Sequence, residues 1–107
     1  MKTKTKRIPP AHPGEILLLE FLEPAGISQN KLALATGLSV SRVNDLIKGR
    51  RGITPDTAIR LGAATGVGAE FWLNLQHDYD MRLAREEKGK EYATIKLLSE
   101  LALTKAA

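Results

Sequence analysis

SQNKLALATGLSVSRVNDLIKGRR, residues 28–51, predicts two short helices joined by a tight turn. Ser28 opens the first helix, because the hydroxyl of an N-cap serine accepts a hydrogen bond from an otherwise unpaired backbone N–H group. Gly37 ends that helix, since glycine adopts the left-handed C′ conformation without steric cost. Ser39 caps the second helix, which is predicted to stop at Gly49.

The second helix of this stretch, residues 40–48, has one apolar face and one polar face. Val43, Leu46 and Ile47 recur at helical spacing and are predicted to face the core. Six side chains are left for the outer face or its edges: Val40, Ser41, Arg42, Asn44, Asp45 and Lys48. This is the layout of a DNA-binding helix-turn-helix, whose second helix presents its first residues to base edges in the major groove.

Proline and glycine positions outside the stretch predict further helices, and no segment has the pattern of a strand. Pro13 opens the first helix, because proline suits the first helical turn. Pro24 and Gly26 are predicted to break that helix before the helix-turn-helix begins. Pro55 starts a fourth helix by the same rule, and Gly66 is predicted to end it.

A fifth helix is predicted over residues 69–88. Three apolar side chains of its first turns are predicted to close the core: Phe71, Trp72 and Leu75. Tyr79 and Leu83 continue the apolar stripe beyond what a domain of this size can cover, so they are the predicted dimer contacts.

Gly89 is predicted to interrupt the fifth helix, and an amphipathic helix is predicted to follow from Glu91 to Lys105. One such helix alone is marginal in water, so it is expected to pack on this domain, on a second subunit or on another partner. The predicted organisation is a flexible basic arm over residues 1–11, a helix-turn-helix domain over residues 12–88, and a C-terminal helix or tail over residues 89–107.

Positive charge is concentrated in two places along the chain. The net charge of +4 at pH 7 combines +4 in residues 1–10 and +4 in residues 28–51 with −3 in residues 11–27 and −1 in residues 52–107. A basic helix-turn-helix is the footprint of a phosphate-binding face. The alternative for either segment is a solvated charge run, which for a terminal arm is the commoner case.

Length and composition limit the number of domains and the kinds of site that the chain can form. The chain of 107 residues is predicted to form one domain, and it has no cysteine for disulfides or thiolate metal sites. No segment reaches the roughly 18 apolar residues of a membrane helix. The two histidines, His12 and His77, are far apart in sequence, and His12 is assigned a turn or capping role. No nucleophile–base pair is recognisable, so the sequence predicts neither an enzyme nor a metal or cofactor site.

With its flanks, the stretch resembles the HigA-type antitoxins, a branch of the Xre or λ-repressor-like helix-turn-helix class. Three pieces match in order: HPGEILLLEFLEPAGIS (residues 12–28), GLSVSRVNDLIKGRRGITPDTAIRL (residues 37–61) and AEFWLNLQHDYDM (residues 69–81). The resemblance implies an all-α, five-helix λ-repressor-like bundle with the helix-turn-helix in helices 2 and 3. The predicted C-terminal helix is additional to that bundle.

The resemblance and the side-chain chemistry together divide the DNA contacts into two groups. The predicted phosphate contacts are Gln29, Lys31, Ser39, Lys48, Arg50 and Arg51. The predicted base contacts are Val40, Ser41, Arg42, Asn44 and Asp45. Arginine can fork onto guanine, asparagine can pair with adenine, and aspartate accepts from the cytosine amino group. For Asp45, an ion pair with Arg42 or Lys48 on the same helix is an equal alternative.

As partners, the resemblance implies double-stranded operator DNA, a second copy of the chain, and a HigB- or RelE-like toxin that cleaves mRNA. A homodimer on a palindromic operator is expected, because one helix-turn-helix unit binds weakly. The implied location is the bacterial cytoplasm, in association with the nucleoid. Two other binding functions stay open: a stand-alone Xre-type repressor, and an interaction module that no longer binds DNA.

Overall fold

The structure is a computed structural model that describes the backbone of residues 11–106 and the side chains of residues 11–102. Within that range every regular element is helical. Helix α1 consists of three consecutive segments: Pro13–Ile16, Leu17–Leu22 and Glu23–Ala25. The other helices are α2 (Gln29–Thr36), α3 (Val40–Ile47), α4 (Pro55–Thr65), α5 (Ala69–Tyr92) and α6 (Leu98–Ala106). The all-α prediction is confirmed, while the predicted basic arm, apart from Ala11, lies outside the described residues.

Helix α1 starts at Pro13 as predicted, but it contains a π-helical segment, Leu17–Leu22, that the sequence pattern did not indicate. Pro24 has no N–H group and its ring crowds the carbonyl four residues earlier. The wider π turn directly before Pro24 relieves that crowding. The helix therefore continues through Pro24 and ends at Gly26, whose φ is +67°. Of the two residues predicted to break the helix, only the glycine does so.

The helix-turn-helix forms with the predicted caps. The hydroxyls of Ser28 and Ser39 each accept a hydrogen bond, of 3.1 Å in both cases, from the backbone N–H three residues on. Gly37 has a φ of +79° and ends α2. Leu38 is buried in the turn between the two helices. The two helices are thus held at a fixed angle by caps and by a buried turn residue.

Each of the helices α1 to α5 contributes buried side chains to the core, and Trp72 is the largest that is fully buried. Its ring centroid lies 5.2 Å from that of Phe21 and 5.1 Å from that of Phe71. Its indole N–H donates to the Thr65 hydroxyl at 3.2 Å. Trp72 closes the core as predicted, whereas Phe71 is 37% exposed and covers the core only from its edge. The buried apolar residues are Leu17, Leu22, Leu32, Ala33, Leu38, Val43, Leu46, Ile53, Ala58, Leu61 and Trp72.

Helix α1 meets α3 at Gly14, where the two backbones come very close. A Cβ added at Gly14 would lie 1.7 Å from the carbonyl oxygen of Leu46. No side chain larger than hydrogen fits there without moving one of the helices. The start of α1 therefore supports α3 directly, from the side opposite to its polar face.

The C-terminal part of the chain departs from the predicted helix boundaries. Helix α5 continues to Tyr92, with a non-helical φ of −127° at Lys88, so the region of Gly89 distorts the helix without ending it. The predicted helix from Glu91 to Lys105 is wrong in its first part, because α6 begins only at Leu98. Residues 93–95 instead form a turn, in which each backbone N–H donates to a carbonyl three or four residues earlier. Two consecutive β-branched residues, Thr94 and Ile95, disfavour a helix there.

His12 is the N-cap of α1, which confirms the capping role predicted for it. Its Nδ1 accepts a hydrogen bond from the Gly14 N–H at 2.9 Å, and its ring lies edge-on to Tyr79, with centroids 5.0 Å apart. Burial lowers the pKa of His12 below its ordinary value of 6.5, and the negative charges of Asp80 and Glu15 oppose that shift. The neutral form, which alone has an Nδ1 lone pair for the cap, is thus favoured in the folded chain.

We expect the free energy of unfolding to decrease as the pH falls from about 6.5 towards 5. A lowered pKa in the folded state means that the unfolded chain binds a proton at His12 first, so acid favours unfolding. One proton contributes at most about 1.4 kcal/mol per pH unit. Urea titrations at several pH values measure the change. His12→Asn is the control, because asparagine caps a helix without titrating; an undiminished pH dependence in that variant would assign the effect to other groups.

Candidate nucleic-acid interface

The first turn of α3 presents exposed side chains on the surface of the domain. Val40 is 47% exposed, and Ser41 is also exposed. The Ser39 hydroxyl accepts from the Arg42 N–H and keeps its own proton, which can be donated to a further acceptor. Val43 and Leu46, on the other face, are fully buried. The helix is therefore anchored by its apolar face and leaves its first turn open to a ligand.

Arg42 lies half-buried beside that turn and has unused hydrogen-bonding capacity. Its Nε is buried and has no hydrogen-bond partner within the described part of the chain. A buried donor without an acceptor costs about 1–3 kcal/mol. An acceptor on a ligand within reach of this guanidinium would remove that cost.

A chain of hydrogen bonds joins four of the predicted contact residues across α2, α3 and the loop after α3. Gln29 Oε1 accepts from Asn44 Nδ2 at 3.1 Å. Asn44 Oδ1 accepts from Arg50 Nη2 at 3.1 Å, and Asp45 Oδ1 accepts from Arg50 Nε at 3.2 Å. The ion pair of Asp45 is therefore with Arg50, and the alternative pairs with Arg42 or Lys48 are not formed.

Three further cations, on α2 and on the segment that follows α3, are exposed: Lys31, Lys48 and Arg51. No hydrogen bond or ion pair joins any of them to another side chain in residues 11–102. Such unpaired cations keep their full charge for a polyanionic partner, which releases counterions when it is neutralised. The structure thus places these three predicted phosphate contacts on α2 and on the segment that follows the last turn of α3.

The connector after α3 is held by a residue that the sequence pattern did not indicate. Gln76 on α5 accepts from the Ile53 N–H through Oε1 at 2.7 Å and donates to Asp80 Oδ1 through Nε2 at 3.0 Å. Gly52 lies against the same amide, so that a Cβ there would be 3.0 Å from Gln76 Oε1. A glutamine on a helix without a repeating motif carries no sequence signal for such a long-range contact.

The two predicted dimer contacts lie on α5 and are both half-buried within one chain. Tyr79 already packs against His12, so part of its ring covers the start of α1. Four apolar side chains near the C-terminal end of the described residues are exposed: Ile95, Leu97, Leu98 and Leu101. None of the helices in residues 11–106 has the length and apolar character needed to cross a membrane.

The helix-turn-helix family (HTH_3) matches residues 18–72, which include α2, α3 and α4. Antitoxin HigA-1 of Vibrio cholerae is 44% identical over 95 residues, which are 89% of this chain and 89% of the relative. This chain belongs to the HigA-type antitoxins of the helix-turn-helix family. Virulence-associated protein I of Dichelobacter nodosus is 47% identical over 81 residues, which are 76% of this chain and 75% of that protein.

A solved structure extends the likeness to the fold. The structure of Pseudomonas aeruginosa antitoxin HigA with the higBA promoter is similar to this chain with a TM-score of 0.78 and 44% sequence identity. The match covers 83% of this chain and 98% of the other. The resemblance predicted from the three sequence pieces is therefore confirmed at the level of the HigA-type family, and the HTH_3 match includes every residue predicted to contact DNA.

Proposed function

We propose that this chain is a cytoplasmic, sequence-specific DNA-binding antitoxin that represses its own operon as a homodimer and neutralises an mRNA-cleaving toxin of the HigB or RelE type. The observation that carries the DNA part is the open first turn of α3, where Val40 and Ser41 are exposed, together with the exposed cations on α2 and after α3, which are not bonded to another side chain in residues 11–102. The likeness to a HigA whose structure was determined with a promoter supports it. The proposed role is binding and involves no catalysis by this chain.

The proposed contacts divide by chemistry. Ser41 and Arg42 on α3 read base edges, because a hydroxyl and a guanidinium can each distinguish bases in the major groove. Lys31, Lys48 and Arg51 contact phosphates, and Gln29 and Ser39 add polar phosphate contacts. Two copies joined through Tyr79 and Leu83 on α5 would present two α3 helices to a palindrome with half-sites about one helical turn apart.

We expect two double variants to separate these roles. Ser41→Ala with Arg42→Ala should reduce the preference for the operator over scrambled DNA by at least about tenfold, because base contacts specify. Lys48→Ala with Arg51→Ala should reduce the affinity for the operator and for the scrambled DNA equally. It should also reduce the slope of log K against log salt by about 2 per chain. Fluorescence anisotropy at four salt concentrations measures both quantities. Identical behaviour of the two double variants would contradict this division of the contacts.

The toxin part of the proposal is supported by membership of the HigA-type family. It is tested by expressing the whole native operon, purifying the tagged chain, and identifying the bound protein and DNA by mass spectrometry and sequencing. A co-purifying product of the neighbouring reading frame, together with the operon's promoter, is the expected result. Promoter DNA without a protein partner would instead favour a stand-alone Xre-type repressor, the alternative that the sequence left open.

A further inference from the structure

The turn after α3 brings Arg50 back against that helix. Gly49 has a φ of +77°. Its N–H donates to the Leu46 carbonyl at 3.1 Å, and the Arg50 N–H donates to the Asp45 carbonyl at 2.8 Å. These two bonds form a Schellman motif, in which the residue after the glycine contacts the helix residue five positions earlier. That contact is usually apolar, but here it joins Arg50 to Asp45.

The guanidinium of Arg50 is directed at the side chains of α3. Its Nε and Nη2 both lie 3.2 Å from Asp45 Oδ1, and Nη2 also donates to Asn44 Oδ1 at 3.1 Å. Asn44 Nδ2 in turn donates to Gln29 Oε1 on α2. Because Asn44 is bonded both to Gln29 and to Arg50, and Asp45 is bonded to Arg50, the directions of these two side chains are fixed before any ligand arrives.

We infer that Arg50 is a positioning residue for base recognition, which orients Asn44 and Asp45 and offsets the charge of Asp45, and that it is not a phosphate clamp. The inference rests on the proposed DNA-binding function. An arginine that binds phosphate directs its planar fork at the phosphate oxygens, whereas the Nε and Nη2 edge of this fork is bonded to Asn44 and Asp45 of α3. Without Arg50, the carboxylate of Asp45 would face the DNA as an uncompensated like charge.

Arg50 and Asp45 are both at least partly exposed, so Arg50 can be substituted without loss of the fold. The side chain of Arg50 is 60% exposed and that of Asp45 is 29% exposed. Exposed ion pairs contribute little to stability, so Arg50→Gln is expected to fold like the unmodified chain. Arg51 follows Arg50 directly, is exposed, and is not bonded to a side chain in residues 11–102. Arg51→Gln is therefore the matched control.

The test measures binding of each variant to a duplex from the chain's own promoter and to a scrambled duplex of the same composition, at four salt concentrations. Arg51→Gln should reduce the slope of log K against log salt by about 1 per chain and leave the promoter preference unchanged. Arg50→Gln should leave the slope unchanged and reduce the promoter preference by about tenfold. Arg50→Lys should behave like Arg50→Gln, because an ammonium has the charge without the fork.

Three outcomes decide the question. A reduced slope with an unchanged preference in Arg50→Gln, restored by Arg50→Lys, would overturn the inference and make Arg50 a phosphate contact. A reduced preference in both variants would support it, provided that circular dichroism shows them folded. If the unmodified chain itself shows neither a promoter preference nor a salt dependence, the proposed DNA-binding function fails, and this inference falls with it.

Discussion

The Gly14→Ala variant is expected to melt at a temperature at least about 10 °C lower than the unmodified chain. The added Cβ would lie 1.7 Å from the Leu46 carbonyl oxygen, so α1 and α3 have to separate. Overpacking usually costs about 1–3 kcal/mol, and a clash with backbone lies at or above the upper end because no flexible side chain can yield. Thermal unfolding followed by circular dichroism measures the loss.

Gly89→Ala is the control for this substitution. Gly89 lies in α5, has no positive φ, and has no atom within 4 Å of an added Cβ. Alanine is favoured over glycine in a helix by about 1 kcal/mol, so this variant should melt at the same temperature or a few degrees higher. Equal destabilisation of the two variants would show that α1 does not rest on α3 as described. Because Gly14 supports α3, Gly14→Ala should also weaken binding to DNA.

Trp72→Ala should reduce the free energy of unfolding by about 3–5 kcal/mol. Trp72 is fully buried against Phe21 and Phe71, and its indole N–H is bonded to Thr65. Its removal leaves a large cavity and one hydrogen bond fewer at the Thr65 hydroxyl, which still donates to the Leu61 carbonyl at 2.7 Å. Small domains are stable by about 5–15 kcal/mol in total, so much of this variant should be unfolded near 37 °C. Urea denaturation at 25 °C measures the difference.

Phe71→Ala provides the comparison for Trp72→Ala, since Phe71 lies next to it but is 37% exposed. Less apolar surface is taken from water at this position, so the expected loss is smaller, at about 1–2 kcal/mol. A loss for Phe71→Ala as large as that for Trp72→Ala would place the centre of the core elsewhere on α5.

Local signals in the sequence were sufficient for the helix-turn-helix. Ser28, Ser39, Gly37 and Gly49 act through bonds to backbone groups a few residues away, and such short-range geometry is encoded in residue type and spacing. The π segment of α1 and the contact of Gly14 with Leu46 depend on how two helices dock. Docking is a tertiary property, and no spacing in the sequence reports it.

In the candidate site, too, short-range features were predicted from the sequence and long-range contacts were not. The polar side chains of α3 were predicted to lie on its outer face or its edges, and none of them is buried. The partner of Asp45 was not predicted, because the helical spacing pointed to Arg42 and Lys48. The Schellman turn at Gly49 reverses the chain and brings Arg50 to Asp45 instead. Gln76 was missed altogether, since its bond to the Ile53 N–H joins residues far apart in sequence. The start of the C-terminal helix was misplaced because an apolar repeat continues across the β-branched pair Thr94-Ile95.

The proposed function requires that α3 binds the promoter of the chain's own operon. The measurement that tests it most directly is the affinity of the purified chain for that promoter duplex and for a scrambled duplex across a series of salt concentrations. A dimer that neutralises six to eight phosphates should give a slope of log K against log salt of about −5 to −7. The promoter should be preferred by at least about a thousandfold. Equal affinity for both duplexes, or a slope near zero, would contradict the claim.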